Sequence, residues 1–180
     1  MRTWTQDGYL GAARFAAQAH GRQTLPSTEL PYLLHVTSVA MEVIAAFRLE
    51  PDHDQELAMQ CALLHDVVED TPVTLDEVRT AFGPAVAAGV SALSKDPALP
   101  KDRQLQDSLE RIRRQPHEVW MVKLADRITN LQPPPAHWSP EKIARYREEA
   151  KLIHESLGAA SGALSRRILE KIEAYGVFTR

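Results

Sequence analysis

One cysteine, Cys61, stands in the whole chain. No internal disulfide framework can form, and a lone thiol suits a reducing compartment, so the cytoplasm is the expected location. No apolar run approaches the roughly 20 residues that a membrane-spanning helix needs. The N-terminal stretch MRTWTQDGYL has no basic segment leading into an apolar one, so neither a secretory signal nor a membrane partner is expected. A basic excess is missing as well: 21 Lys and Arg against 24 Asp and Glu leave a formal net charge of −3. That balance excludes a sequence-independent grip on nucleic-acid phosphates, and no nucleic-acid partner is expected. Alternating strand patterns, internal repeats and linker-like stretches are also absent. What remains is 180 residues, 44% apolar and 25% charged, which fits one all-α domain over 1–180.

Helical periodicity dominates. Val36, Val39, Ala40, Val43, Ile44 and Phe47 recur at the spacing of a helix with one buried face. After a turn at Pro51 to Asp54, Leu57, Ala58, Cys61, Ala62, Leu64 and Val68 predict a second core helix ending near Asp70, where Thr71 and Pro72 stop it. Thr74 with Glu77 has the spacing of a capping box, opening a short helix that runs to Phe82. Gly83 and Pro84 then start another, to Leu93. Ser94 to Pro100 is loop-like, and Lys101 to Arg114 is a charged, mostly solvated helix. Pro116 stands at a first helical position before Val119, Val122, Leu124, Ile128 and Leu131, and Pro133 to Pro135 end that helix. Ser139 and Pro140 open a further helix through Ile153, and Leu164, Ile168 and Ile172 mark a last one after Gly158.

The chemistry is concentrated in CALLHDVVEDT, Cys61 to Thr71, where four ionisable groups end an otherwise apolar helix. Buried without partners, such groups would cost several kcal/mol. His65 and Glu69, and likewise Asp66 and Asp70, are four residues apart, so each pair stacks one turn apart on a helix. Two further polar residues lie in apolar surroundings: His35 at the start of the first core helix and Asp126 within VKLADRITNL. Two imidazoles and two carboxylates suit Mn²⁺, Fe²⁺ or Zn²⁺ with positions left for water and substrate. The residues alone leave two readings standing, a metal site and a buried polar network.

The segments PYLLH (31–35), ALLHDVVEDT (62–71), FGPAVAAGVSALSK (82–95) and VKLADRITNL (122–131) resemble successive motifs of the hydrolase domain in Rel/SpoT alarmone enzymes and in the stand-alone small alarmone hydrolases. The likeness runs from about Tyr9 to Leu157, and the absence of a synthetase extension favours the small form. The resemblance implies a compact single-domain helical HD fold and Mn²⁺-dependent removal of the 3′-pyrophosphate from ppGpp or pppGpp, a small-molecule nucleotide substrate. It implies His35, His65, Asp66 and Asp126 as metal ligands, and Glu69 and Asp70 as the acidic pair that activates or positions water. It implies Tyr32, Lys123 and Asn130 as substrate contacts.

Departures from the pattern lie on the nucleotide side. Where the family carries an HxGQxRK-like stretch, this chain has His20-Gly-Arg-Gln-Thr-Leu-Pro, so the basic pair becomes Leu25 and Pro26. A threonine expected after Asn130 is Pro133. Two alternatives therefore stand beside alarmone hydrolysis: an HD phosphohydrolase acting on another phosphorylated nucleotide or dinucleotide cofactor, and a catalytically silent nucleotide-binding protein. His20, His53, His117, His137 and His154 sit in polar or helix-end contexts and are expected as surface or capping residues. Cys61 is expected in core packing, and no oligomeric state is legible.

Overall fold

Helix α1 (Gln6–His20) starts where the Thr5 hydroxyl accepts from the Gly8 amide at 3.0 Å. Its inward face is built largely of alanine, with Ala12 and Ala16 fully buried, and it packs on α3 (Gln55–Leu64). The computed structural model describes residues 2–179 and holds ten α-helices among them. An isolated bridge between Thr24 and Pro31 is the one extended pairing among the described residues. The remaining helices are α2 (Leu33–Phe47), α4 (Val67–Asp70), α5 (Leu75–Phe82), α6 (Pro84–Leu93), α7 (Lys101–Ile112), α8 (His117–Asn130), α9 (Pro140–Leu157) and α10 (Gly162–Tyr175).

Helices α2, α3 and α8 pack mutually at the centre, with α1, α6 and α10 laid against them. Val36, Val39, Val43, Leu57, Leu64, Val122, Leu124 and Ile128 make this core. Several helices have a local start signal. Asp54 caps α3 by accepting from the Leu57 amide at 3.1 Å. Thr74 and Glu77 form a reciprocal capping box on α5. Ser139 caps α9, whose first position is Pro140. Helix α8 begins one residue later than its sequence implies, with Pro116 as the cap.

Two glycines answer to geometry. Gly83 takes φ +87° between α5 and α6, a region that side chains disfavour. At Gly89 on α6, an added Cβ would lie 2.7 Å from Cys61 Sγ and 3.0 Å from Val119 Cγ2, so α6 seats against α3 and α8 only without a side chain.

One expectation is corrected here. The helix expected to run unbroken through to Asp70 is two, α3 and α4, broken at His65 and Asp66. Aspartate is a poor interior helix residue, and here its carboxylate turns toward partners from other helices. The charged helix α7 is mostly solvated, as expected, with Leu109 and Ile112 buried on its inner face; Arg111 donates to the carbonyls of Ser91, Ala92 and Ser94, closing the C-terminus of α6. Among the described residues no helix is long and apolar enough to cross a membrane.

Candidate metal centre and adjoining pocket

His35 projects from the first turn of α2 and His65 from the end of α3, both buried, with their Nε2 atoms 3.3 Å apart. The His65 Nδ1 atom lies 2.8 Å from the Ala62 carbonyl. A carbonyl only accepts, so Nδ1 carries a proton, and it is loss of the second proton, from Nε2, that leaves that nitrogen a lone pair for a metal. Asp66 follows at the helix break, its Oδ2 3.0 Å from His65 Nε2 and 3.6 Å from His35 Nε2. Asp126, from α8, sets Oδ1 at 3.4 Å from His35 Nε2 and 3.9 Å from His65 Nε2.

These spacings fit a shared cation. Ligand atoms about 2.1 Å from one ion stand roughly 3.0 Å apart at right angles and roughly 3.4 Å apart at tetrahedral angles. Lone pairs and carboxylate oxygens that face one another also repel unless a proton or a metal lies between them. His35, His65 and Asp126 form the tight three-residue group, with one ligand atom of each within 4.8 Å of the others. Asp66 stands beside it, its Oδ2 also accepting from the Tyr32 hydroxyl at 2.5 Å.

The electrostatics follow from this crowding. Burial alone would lower the His65 pKa, but the Asp66 carboxylate, its hydrogen bond and Asp126 raise it to about 9. Burial opposes ionisation of Asp66 and Asp126 as well. The imidazole of His65 nevertheless holds Asp66 below the usual carboxylate range, and Lys123 followed by the histidines holds Asp126 well below it. Burial and then the Asp66 charge push the Tyr32 hydroxyl far upward, so it acts as a donor.

The remaining expected residues divide into two groups. On α8, Lys123 Nζ donates to Asp126 Oδ2 at 3.0 Å and Asn130 Nδ2 donates to Asp126 Oδ1 at 2.6 Å, bracketing that carboxylate from one turn either side. On α4, Glu69 is taken up by Lys95: Oε1 accepts from Nζ at 2.6 Å and Oε2 from the backbone amide at 2.8 Å. Asp70 lies on the exposed side of α4, and burial followed by the Asp66 charge raises its pKa above the ordinary range. Its carboxylate accepts one long hydrogen bond, 3.4 Å from Gln23 Nε2.

Residues outside the expected set also come in. Lys95 ends the FGPAVAAGVSALSK segment, where its position two residues past a helix end is the available signal. His20, expected at the surface, is 5% exposed and stacks on Tyr32 with ring centroids 4.7 Å apart. A pocket of about 420 Å³ opens beside His35, lined among others by Leu25, Pro26, Ser38, Asn130 and Pro133. The three positions that depart from the resemblance thus line one pocket, in which His35 is the one titratable side chain among the described residues. Arg22 is exposed and does not line it.

Fold and site together define an all-helical protein with a buried divalent-metal centre assembled from three helices. The chain belongs to the HD domain family, whose model matches residues 12–164. The guanosine-3′,5′-bis(diphosphate) 3′-pyrophosphohydrolase MESH1 of Mus musculus is 33% identical over 176 residues, covering 93% of this chain and 94% of that protein. The bifunctional (p)ppGpp synthase/hydrolase SpoT of Escherichia coli K12 is 33% identical over 153 residues, which cover 82% of this chain and 21% of that protein. A solved structure, of a metazoan ortholog of SpoT that hydrolyzes ppGpp and plays a role in starvation responses, superposes with a TM-score of 0.82 at 27% identity, covering 97% of this chain and 99% of that one.

Proposed function

We propose that this chain hydrolyses the 3′-pyrophosphate of guanosine alarmones, converting ppGpp or pppGpp and water into GDP or GTP and pyrophosphate, in the cytoplasm and within a single domain spanning 1–180. The observation that carries it is the buried convergence of His35, His65 and Asp126, with Asp66 beside them, next to a pocket of about 420 Å³. The full-length similarity to a named 3′-pyrophosphohydrolase supports the same substrate.

Asp66 is the fourth metal ligand in this reading, and Mn²⁺ is the ion, with Fe²⁺ or Zn²⁺ as the alternatives that the same donors accept. When bound, the ion lowers the pKa of water and offsets charge on the phosphoryl oxygens. Asp70 takes the proton of the attacking water, because its oxygens are the less occupied of the acidic pair. The water oxygen bonds to the phosphorus next to the ribose 3′-oxygen, the P–O3′ bond breaks, and the released 3′-oxygen gains a proton. Glu69 anchors Lys95 and the chain after α6 against α4. Asn130 touches substrate from the pocket wall, while Tyr32 and Lys123 bear on it through Asp66 and Asp126.

The absence of a cation from the lining of the pocket favours one other substrate class, a 3′- or 2′-phosphorylated nucleotide or dinucleotide cofactor held without charge pairing at its far end. The deciding experiment strips the protein of metal, restores Mn²⁺, and assays ppGpp, pppGpp and a panel of 3′- and 2′-phosphorylated nucleotides beside an Asp66→Ala control. Release of pyrophosphate and GDP from ppGpp, absent from the control, is expected. Cleavage confined to other members of the panel moves the enzyme to the second class, and inactivity toward all of them refutes both.

A further inference from the structure

His20 is the one buried imidazole near the site that the reaction above does not use. Its Nδ1 lies 2.8 Å from Gln23 Oε1, and its buried Nε2 has no partner. The same glutamine turns its Nε2 toward Asp70 Oδ2 at 3.4 Å. An ionised carboxylate only accepts, so the amide must present its NH₂ to Asp70 and its oxygen to His20. That oxygen in turn only accepts, so the proton of His20 sits on Nδ1. Donors therefore run in one direction, from His20 through Gln23 to Asp70.

We propose that His20 is a positioning residue for Asp70, acting through the side-chain amide of Gln23. The inference rests on Asp70 being the base of the proposed hydrolysis. Three further contacts make the path rigid. The Tyr32 amide donates to the Gln23 carbonyl at 2.9 Å, fixing the glutamine backbone. The His20 ring packs against Tyr32, whose hydroxyl holds Asp66. Helix α1 ends at His20, and the Gly21 amide bonds back to the Ala17 carbonyl, so the ring leaves a closed helix terminus.

A side chain placed there only to fill space would be apolar, because a buried ring nitrogen left without a partner is destabilising. The imidazole has one nitrogen orphaned and the other aimed at Gln23. Without it the amide is free to rotate about its own axis, and Asp70 loses its one side-chain hydrogen bond among the described residues.

Four variants and one spectrum test this: His20→Leu, His20→Asn, Gln23→Met and the His20→Leu/Gln23→Met double, each Mn²⁺-loaded and assayed on ppGpp. His20→Leu and Gln23→Met are each expected to lower kcat about tenfold to a hundredfold with KM within about twofold. The double variant should be no worse than either single, because one path is being cut twice. The asparagine amide nitrogen overlays Nδ1, so His20→Asn should recover most of the loss. In ¹⁵N spectra of the metal-free wild type, His20 should carry its proton on Nδ1, and Gln23→Met should abolish that preference. A proton on Nε2, additive losses, a loss confined to KM, an unaffected Gln23→Met enzyme, or no recovery in His20→Asn each overturn the inference while leaving the hydrolase assignment in place. A wild-type enzyme inert toward ppGpp and the nucleotide panel overturns the assignment itself and the positioning role with it.

Discussion

A carboxylate serves as a base only with a lone pair to spare, and the acidic pair on α4 differs in that respect. Both Glu69 oxygens are engaged by Lys95, whereas Asp70 accepts a single long bond from Gln23. Asp70→Asn is therefore expected to lower kcat by roughly 10²- to 10⁴-fold with metal binding retained, checked by metal analysis beside the kinetics. Glu69→Gln should lose much less. The pH dependence carries a sign. Asp66 and Glu69 push the Asp70 pKa up while Gln23 and Lys95 pull it down, and burial leaves it raised overall. The base form is lost as pH falls through that raised value, so in the metal-free protein Asp70 should titrate above the ordinary aspartate pKa of about 3.9 when followed by ¹³C NMR. Gln23→Met should move that titration further up, and a metal-free value at or below the ordinary one would contradict this balance of charges.

Among the elements, α6 is held at both its middle and its end. Its middle passes Cys61 and Val119 where Gly89 leaves no room for a Cβ, and its end is held by Arg111 and, one residue on, by Glu69. Gly89→Ala is expected to destabilise the fold by about 1–3 kcal/mol in urea unfolding at unchanged m-value. The Cys61→Ala change should relieve part of that loss in a double-mutant cycle, since the closest clash is with its sulfur. Burial pushes the Cys61 thiol up to about 12, consistent with a packing role. Arg111→Met removes a charged donor from three carbonyls and should cost about 1.5–3 kcal/mol by the same measurement. Helix α2 was legible in the sequence from apolar spacing alone, and α5, α6, α8 and α9 because a capping residue or an N-terminal proline agrees with that spacing. Helix α1 was not, because its buried face is alanine and gives little contrast with its polar side. The break between α3 and α4 escaped for a different reason: apolar spacing continues across it, and contacts with α2 and α8 turn His65 and Asp66 inward.

At the scale of the whole molecule, three helices meet at one cluster of lone pairs, so metal and fold are thermodynamically linked. An ion that binds the folded state alone stabilises it by about 2.7 kcal/mol at a hundredfold excess over its Kd. Chelation should lower Tm, restoration of Mn²⁺ should raise it, and Asp126→Ala should remove the difference; a Tm indifferent to metal in the wild type would contradict the linkage. The sequence by itself determined the all-helical class and the identity of the converging residues, because helical spacing and ionisable groups in apolar segments are local facts. It also located the three departures, Leu25, Pro26 and Pro133. Only the tertiary structure decided that these line one pocket, that Lys123 and Asn130 brace Asp126, and that Lys95 occupies Glu69. It also brought His20 inside, to face Gln23. Each of these depends on the distance between segments far apart in the chain, which packing alone sets.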